Sequence, residues 1–108
     1  MEIQKSKNYL KEYQKKIIGL HKVKEAERIN EIEDLIVHSP NLKELMCNPL
    51  HLIYGIEQKK ENLKEFYTAD INGKLRLYMR PLGEYPYRLM EIEGISFEKI
   101  DDKHYGDG

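Results

Sequence analysis

The chain has 108 residues, 40% of them hydrophobic and 34% charged, with a formal net charge of −1. That length supports one domain with one modest core. No stretch approaches a membrane span, and no global basic field exists to recruit nucleic acid.

Cys47 is the single cysteine. It excludes an internal disulfide and fits a reducing cytosol, so a cytoplasmic location is expected, with Cys47 in the core. The N-terminal residues carry charge but no following apolar run, and do not read as a secretory signal. Charge is unevenly spread. Residues 43–80 hold seven Lys/Arg against five Asp/Glu, whereas residues 84–108 hold three against seven. A local cationic patch beside an acidic C-terminal segment is the expectation.

In chain order, residues 1–6 are short enough to read only as a minor strand with Ile3 inward. Asn8 can cap a helix whose apolar face is Tyr9, Leu10, Tyr13 and Ile17. Gly19 lowers helicity and predicts a break by His21. Val23, Ala26, Ile29, Ile32, Leu35 and Ile36 mark one face of a helix over residues 22–37. Glu27 with Glu31 and Lys24 with Arg28 are like-charge pairs at i,i+4, so this helix must lean on tertiary packing. Ser39-Pro40 ends it. Leu42, Leu45 and Met46 predict one short helical turn. Residues 50–56 alternate as a strand, and Gln58 to Asn62 form a polar, lysine-bearing connection.

The centre of the pattern is a hairpin over residues 63–81. Asn72-Gly73 between two apolar-rich runs is a strong hairpin signal, because both residues tolerate positive φ. Beyond the turn, Leu75, Leu77 and Met79 face one way. Lys74, Arg76, Tyr78 and Arg80 face the other. Pro81 stops the strand. Residues 87–92 and 95–100 alternate as further strands, the last pairing Ile95, Phe97 and Lys99 on one face. A polar tail follows, expected to fray beyond Tyr105. Helices first and antiparallel strands after them give a two-layer α+β domain, N-terminal helices on a small, mostly antiparallel sheet, over residues 1–108.

Metal ligation is poorly supported. His21, His38, His51 and His104 are scattered and make no recognised ligand spacing. Cys47 and His51 lack a third partner for nucleophilic chemistry. Phosphate-loop and dinucleotide glycine patterns are absent, so no metal and no cofactor is expected. The residue types that do carry chemistry are cationic. Two arginines on one sheet face form a rigid multi-donor platform suited to phosphate. Metal-free RNA cleavage needs a base for the 2′-hydroxyl, cations for the phosphorane oxygens and an acid for the leaving 5′-oxygen. Arg76, Arg80, Lys59, Lys60, Lys64 and Arg88 are the candidate cations. His104 and Tyr105, at the end of the last strand, are the candidates for proton transfer.

In order and spacing the chain resembles the RelE/ParE toxins of bacterial type II toxin–antitoxin systems, in particular the HigB-like, or plasmid maintenance killer, branch. The resemblance rests on Ile29-Asn30-Glu31-Ile32 through Asn41-Leu42-Lys43-Glu44-Leu45, on Leu50-His51-Leu52, and on the lysine-rich loop from Glu57 to Asn62. It rests also on the hairpin from Asn72 to Arg80 and on the closing Asp102-Lys103-His104. The family's glycine in the lysine loop is absent here. The fold implied is the RelE/ParE-like one. The activity implied is metal-independent cleavage of mRNA on the ribosome by attack of the 2′-hydroxyl. By position, the resemblance implies catalytic roles for Arg76, Arg80, Lys60 and His104, and phosphate contacts for Lys59, Lys64, Arg88 and Tyr105. It also implies a cognate antitoxin, a small helix-turn-helix repressor, forming a hetero-oligomer with the toxin, and no membrane partner. Two other readings share the fold: a toxin directed at a topoisomerase, and a catalytically inactive partner of a repressor.

Overall fold

The computed structural model describes residues 1–103. Strand β1 (Glu2–Lys5) leads into helix α1 (Lys7–Tyr13), which continues as a π-helical turn over Gln14–Ile18. Helices α2 (Val23–Val37), α3 (Leu42–Cys47) and α4 (Leu50–Ile53) follow. The remaining strands are β2 (Glu57–Gln58), β3 (Tyr67–Asp70), β4 (Leu75–Pro81) and β5 (Gly94–Asp102). They form one five-stranded sheet in the order β1-β5-β4-β3-β2, antiparallel throughout except for the parallel β1–β5 pair. This is the expected α+β architecture. No described helix is long and apolar enough to cross a membrane.

One face of the sheet carries the core. Ile29, Ile32, Leu35 and Ile36 of α2 pack with Tyr9 and Ile17 against Tyr67, Ala69, Leu77, Met79, Ile95, Phe97 and Ile100. The helical period in α2 and the two-residue period in β3 and β4 supply this face directly. Tyr9 meets Phe97 edge-on at 5.3 Å, a favoured aromatic geometry. The α1 cap is Ser6 rather than Asn8. Its hydroxyl accepts from the Tyr9 N–H at 3.0 Å and donates to the Glu98 carbonyl at 2.8 Å. Beyond the reach of β1, the edge of β5 is closed by side chains, since Lys16 donates to the Ile100 carbonyl at 2.7 Å.

Several local expectations are corrected. Residues 50–53 are helical, not extended. Asn48 accepts the Leu50 N–H at 3.0 Å through its side chain, and Pro49 is preset for a first helical position. Residues 87–92 are a turn with a 3₁₀ segment at Leu89–Glu91, too tightly bracketed by Pro86 and Gly94 to extend. Pro81 pairs with Ile95 as the last residue of β4, where its missing N–H is tolerated. Cys47 is exposed. Neither Asn72 nor Gly73 takes a positive φ. The hairpin is closed instead by the Asn72 side chain, which accepts the N–H groups of Lys74 and Leu75, both at 2.7 Å. In β5, Tyr78 pairs with Lys99 but Met79 pairs with Phe97, leaving Glu98 as an extra residue in a β-bulge. The bulge reverses the alternation, so Ile100 enters the core and Lys99 turns outward.

Gly55 sits at φ +60°, and a Cβ there would collide with the Asp70 carboxylate. Gly55→Ala is expected to lower stability by about 1–2 kcal/mol or more, from the left-handed backbone alone. Leu77→Ala, which empties a fully buried site, should cost about 2–5 kcal/mol. Urea unfolding followed by circular dichroism checks both.

Candidate anion-binding face

The sheet face opposite the helices carries the alternate residues of β3, β4 and β5. Register places them in rows. Asp70, Arg76 and Asp101 form one row, and Thr68, Tyr78 and Lys99 form the next, with Glu57 of β2 beyond Thr68. Arg80 lies opposite Ser96 at the far end. Alternation in β4 put Arg76, Tyr78 and Arg80 on this face, as expected. The same reading applied to Tyr67 and Ala69 against Thr68 and Asp70 would have found the β3 members. Lys99 escapes any alternation reading because the bulge places it here.

Arg76 is held from one side. Its Nε lies 3.8 Å from Asp70 Oδ1, and its side chain is only 16% exposed. Asp70 is shared with Lys103, whose ammonium lies 3.1 Å from the same oxygen. The Arg76 Nη1 is buried and has no hydrogen-bond partner among the described residues. The same is true of Lys59 Nζ, on a side chain that is 3% exposed. Buried charged donors without partners are rare, because each forfeits hydration without replacing it. Lys59 leaves the sheet beside Phe66, whose carbonyl accepts the Lys59 N–H at 2.9 Å. The Phe66 ring meets Tyr78 edge-on at 6.1 Å. On the other side of Tyr78, the Lys99 ammonium stands 4.7 Å over the ring and 3.5 Å from Asp101. Partial burial pushes the Asp101 carboxyl up, but the Asp102 N–H, Lys99 and Lys16 outweigh it and hold the group below the usual carboxylate range.

The remaining candidate cations lie toward the Arg80 end. Arg80 is exposed, with Nη2 3.6 Å from Glu65. Lys60 is exposed and accepts the Leu63 N–H through its carbonyl at 3.2 Å. The following residue, Glu61, stands at φ +57°, the left-handed conformation that glycine adopts most cheaply. Lys64 is exposed, with its ammonium 5.3 Å from the Tyr85 ring centre. Arg88 lies in the β4–β5 connection, 3.8 Å from Glu91, and does not join the Arg76 row. His104 and Tyr105 lie outside the described residues. Among the described residues, no three His, Cys, Asp or Glu side chains converge as a metal site.

No protein-family model matches the chain, and no curated protein matches it. Solved structures do. YafQ from E. coli strain BL21(DE3) superposes with a TM-score of 0.63 at 14% identity, over 94% of this chain and 92% of that one. The YoeB/ParE toxin from Agrobacterium tumefaciens superposes with a TM-score of 0.62 at 12% identity, over 96% of this chain and 100% of that one. The two-layer architecture described above is the RelE/ParE-like toxin fold.

Proposed function

We propose that the protein is a ribosome-dependent mRNA endonuclease toxin, neutralised by a cognate antitoxin. The observation that carries this reading is two buried cationic donors without hydrogen-bond partners among the described residues, Arg76 Nη1 and Lys59 Nζ, in a fold shared with a toxin. Donors fixed in place and short of acceptors suit an oxyanion whose charge grows in the transition state.

In this reading a phosphodiester lies across β4. Arg76 donates to the non-bridging oxygens, with Asp70 holding its guanidinium in orientation. Arg80 and Lys60 add positive charge at the far end. Lys59, Lys64 and Tyr105 contact flanking phosphates. The 2′-hydroxyl attacks in line, its oxygen forming the new bond to phosphorus while the 5′-oxygen leaves, which gives a 2′,3′-cyclic phosphate. His104 transfers a proton to the leaving 5′-oxygen. Glu57 is the exposed carboxylate on the same face that could receive the 2′-hydroxyl proton. Its backbone lies two strands and one row from Arg76, about 12 Å by sheet geometry. The order of motifs sets the chain beside the HigB-like branch, whose antitoxins are small helix-turn-helix repressors. A cytoplasmic site of action follows from a ribosomal substrate.

Arg76→Ala is expected to lower cleavage by about 10²–10³-fold while changing stability by less than about 1 kcal/mol. Arg76→Lys should not restore the rate, because a single ammonium lacks the planar fork. Primer extension on mRNA in a reconstituted translation reaction reads both. Intact mRNA at high concentrations of folded wild-type protein would reject the nuclease and favour the topoisomerase-directed or inactive reading.

A further inference from the structure

The β4–β5 connection borders an open hollow of about 540 Å³ that the proposed cleavage does not use, with Arg88 and Glu91 3.8 Å apart on its exposed rim. Its apolar walls include Tyr85, Leu82 and Ile92, and its polar groups are Glu84, Arg88 and Glu91. The volume falls within the range of small-molecule sites. Tyr85 is 36% exposed, and its ring meets Tyr87 edge-on, at 5.4 Å and 88°. Tyr87 in turn donates to the Glu65 carbonyl at 2.6 Å, and the Glu65 carboxylate pairs with Arg80. The cavity is thus joined to the arginine face through Tyr87 and Glu65.

Two carboxylates on the lining disfavour a bare phosphate here. An aromatic wall with both acceptors and a planar donor suits a nucleobase instead. Guanine offers adjacent N1–H and N2–H donors to a single carboxylate, and O6 with N7 to an arginine fork. Adenine presents a single amino group and no second donor beside it.

We propose that this cavity is a nucleobase subsite selective for guanine. The base stacks on Tyr85, is read by Glu84 or Glu91 and by Arg88, and lies next to the phosphate bound by the β4 arginines. This assignment rests on the reading of that face as an RNA site.

The test is fluorescence anisotropy with four labelled trinucleotides that differ in the middle base and carry 2′-deoxyribose at the first two positions, so that neither linkage can be cut. The expected order places the guanine probe first. Tyr85→Ala should weaken its binding about 10-fold, the scale of one base stack, and Tyr85→Phe by less than about twofold. The Tyr85→Ala loss should be equal at low and moderate salt, because stacking releases no counterions, whereas Arg76→Ala should flatten the salt dependence. Glu84→Gln with Glu91→Gln should remove the preference for guanine over adenine. Equal affinity for all four probes, a preference for another base, no binding at millimolar protein, or a Tyr85→Ala protein that binds as wild type would each overturn the subsite. Circular dichroism of Tyr85→Phe and Tyr85→Ala separates lost stacking from lost folding. The translation assay is scored independently. Guanine-selective binding without mRNA cleavage would reject the nuclease and keep the subsite; cleavage by a wild type that ignores the base would do the reverse.

Discussion

Asp70 is the residue on which the arrangement of the face depends. Its N–H donates to the Tyr54 carbonyl at 2.8 Å and its carbonyl accepts Arg28 Nε at 3.0 Å. Arg28 also donates to the Ile53 carbonyl at 2.8 Å and stacks 4.6 Å from the Tyr54 ring. The Tyr54 hydroxyl donates to Glu31 at 3.2 Å. The end of β3 is therefore tied to both α2 and α4. The carboxylate, seated against the bare Cα of Gly55, is left to hold Arg76 and Lys103 on the opposite surface. Like charges that look unhelpful along α2, Arg28 near Lys24 and Glu31 near Glu27, are spent on contacts to other elements. The helix is stabilised by what it grips rather than by its own side-chain ladder.

The face that results is densely charged yet close to balanced. Arg76 and Lys103 share Asp70, Lys99 adjoins Asp101, and Arg80 adjoins Glu65. Such a surface exerts little pull at a distance, in keeping with a chain of net charge −1. Under the proposed reading, selectivity for an anion comes from direction: from donors on Arg76 and Lys59 that have already lost water and have no hydrogen-bond partner among the described residues. A large nucleoprotein that delivers its RNA by docking would complement a site of this kind, since capture from free solution is what weak steering makes slow.

The long elements were legible because their periods are strong. Helix α2 shows its buried face at Ile29, Ile32, Leu35 and Ile36, though Val23 at the same spacing is exposed, and β4 shows both faces in seven residues. Short apolar runs were not. Leu50 to Ile53 alternates well enough to pass for a strand, and only the Asn48-Pro49 pair, a helix-start signal, argues otherwise. The Asn-Gly dipeptide marked the hairpin correctly, yet the turn uses the asparagine carboxamide rather than a left-handed backbone. Of the site, Arg76 could be placed by alternation alone. The burial of Lys59 could not, because it depends on where a loop settles against the sheet. Lys99 falls on one face with Ile95 and Phe97 in the sequence because a strict two-residue period cannot register an inserted residue.

That inserted residue links the two surfaces of the protein. Upstream of Glu98 the chain of β5 runs in one phase, and downstream in the other. Drawing Glu98 into a regular ladder would push Lys99 into the hydrocarbon interior and present Ile100 to solvent, damaging the folded core and the charged surface at one stroke. The β4–β5 connection, by contrast, spans its gap through turns and leaves the phase of both strands untouched. Length variation among descendants of this chain should accumulate in that connection. The hollow beside Tyr85 can then be reshaped freely, while the arginine surface behind it is inherited only together with the fold.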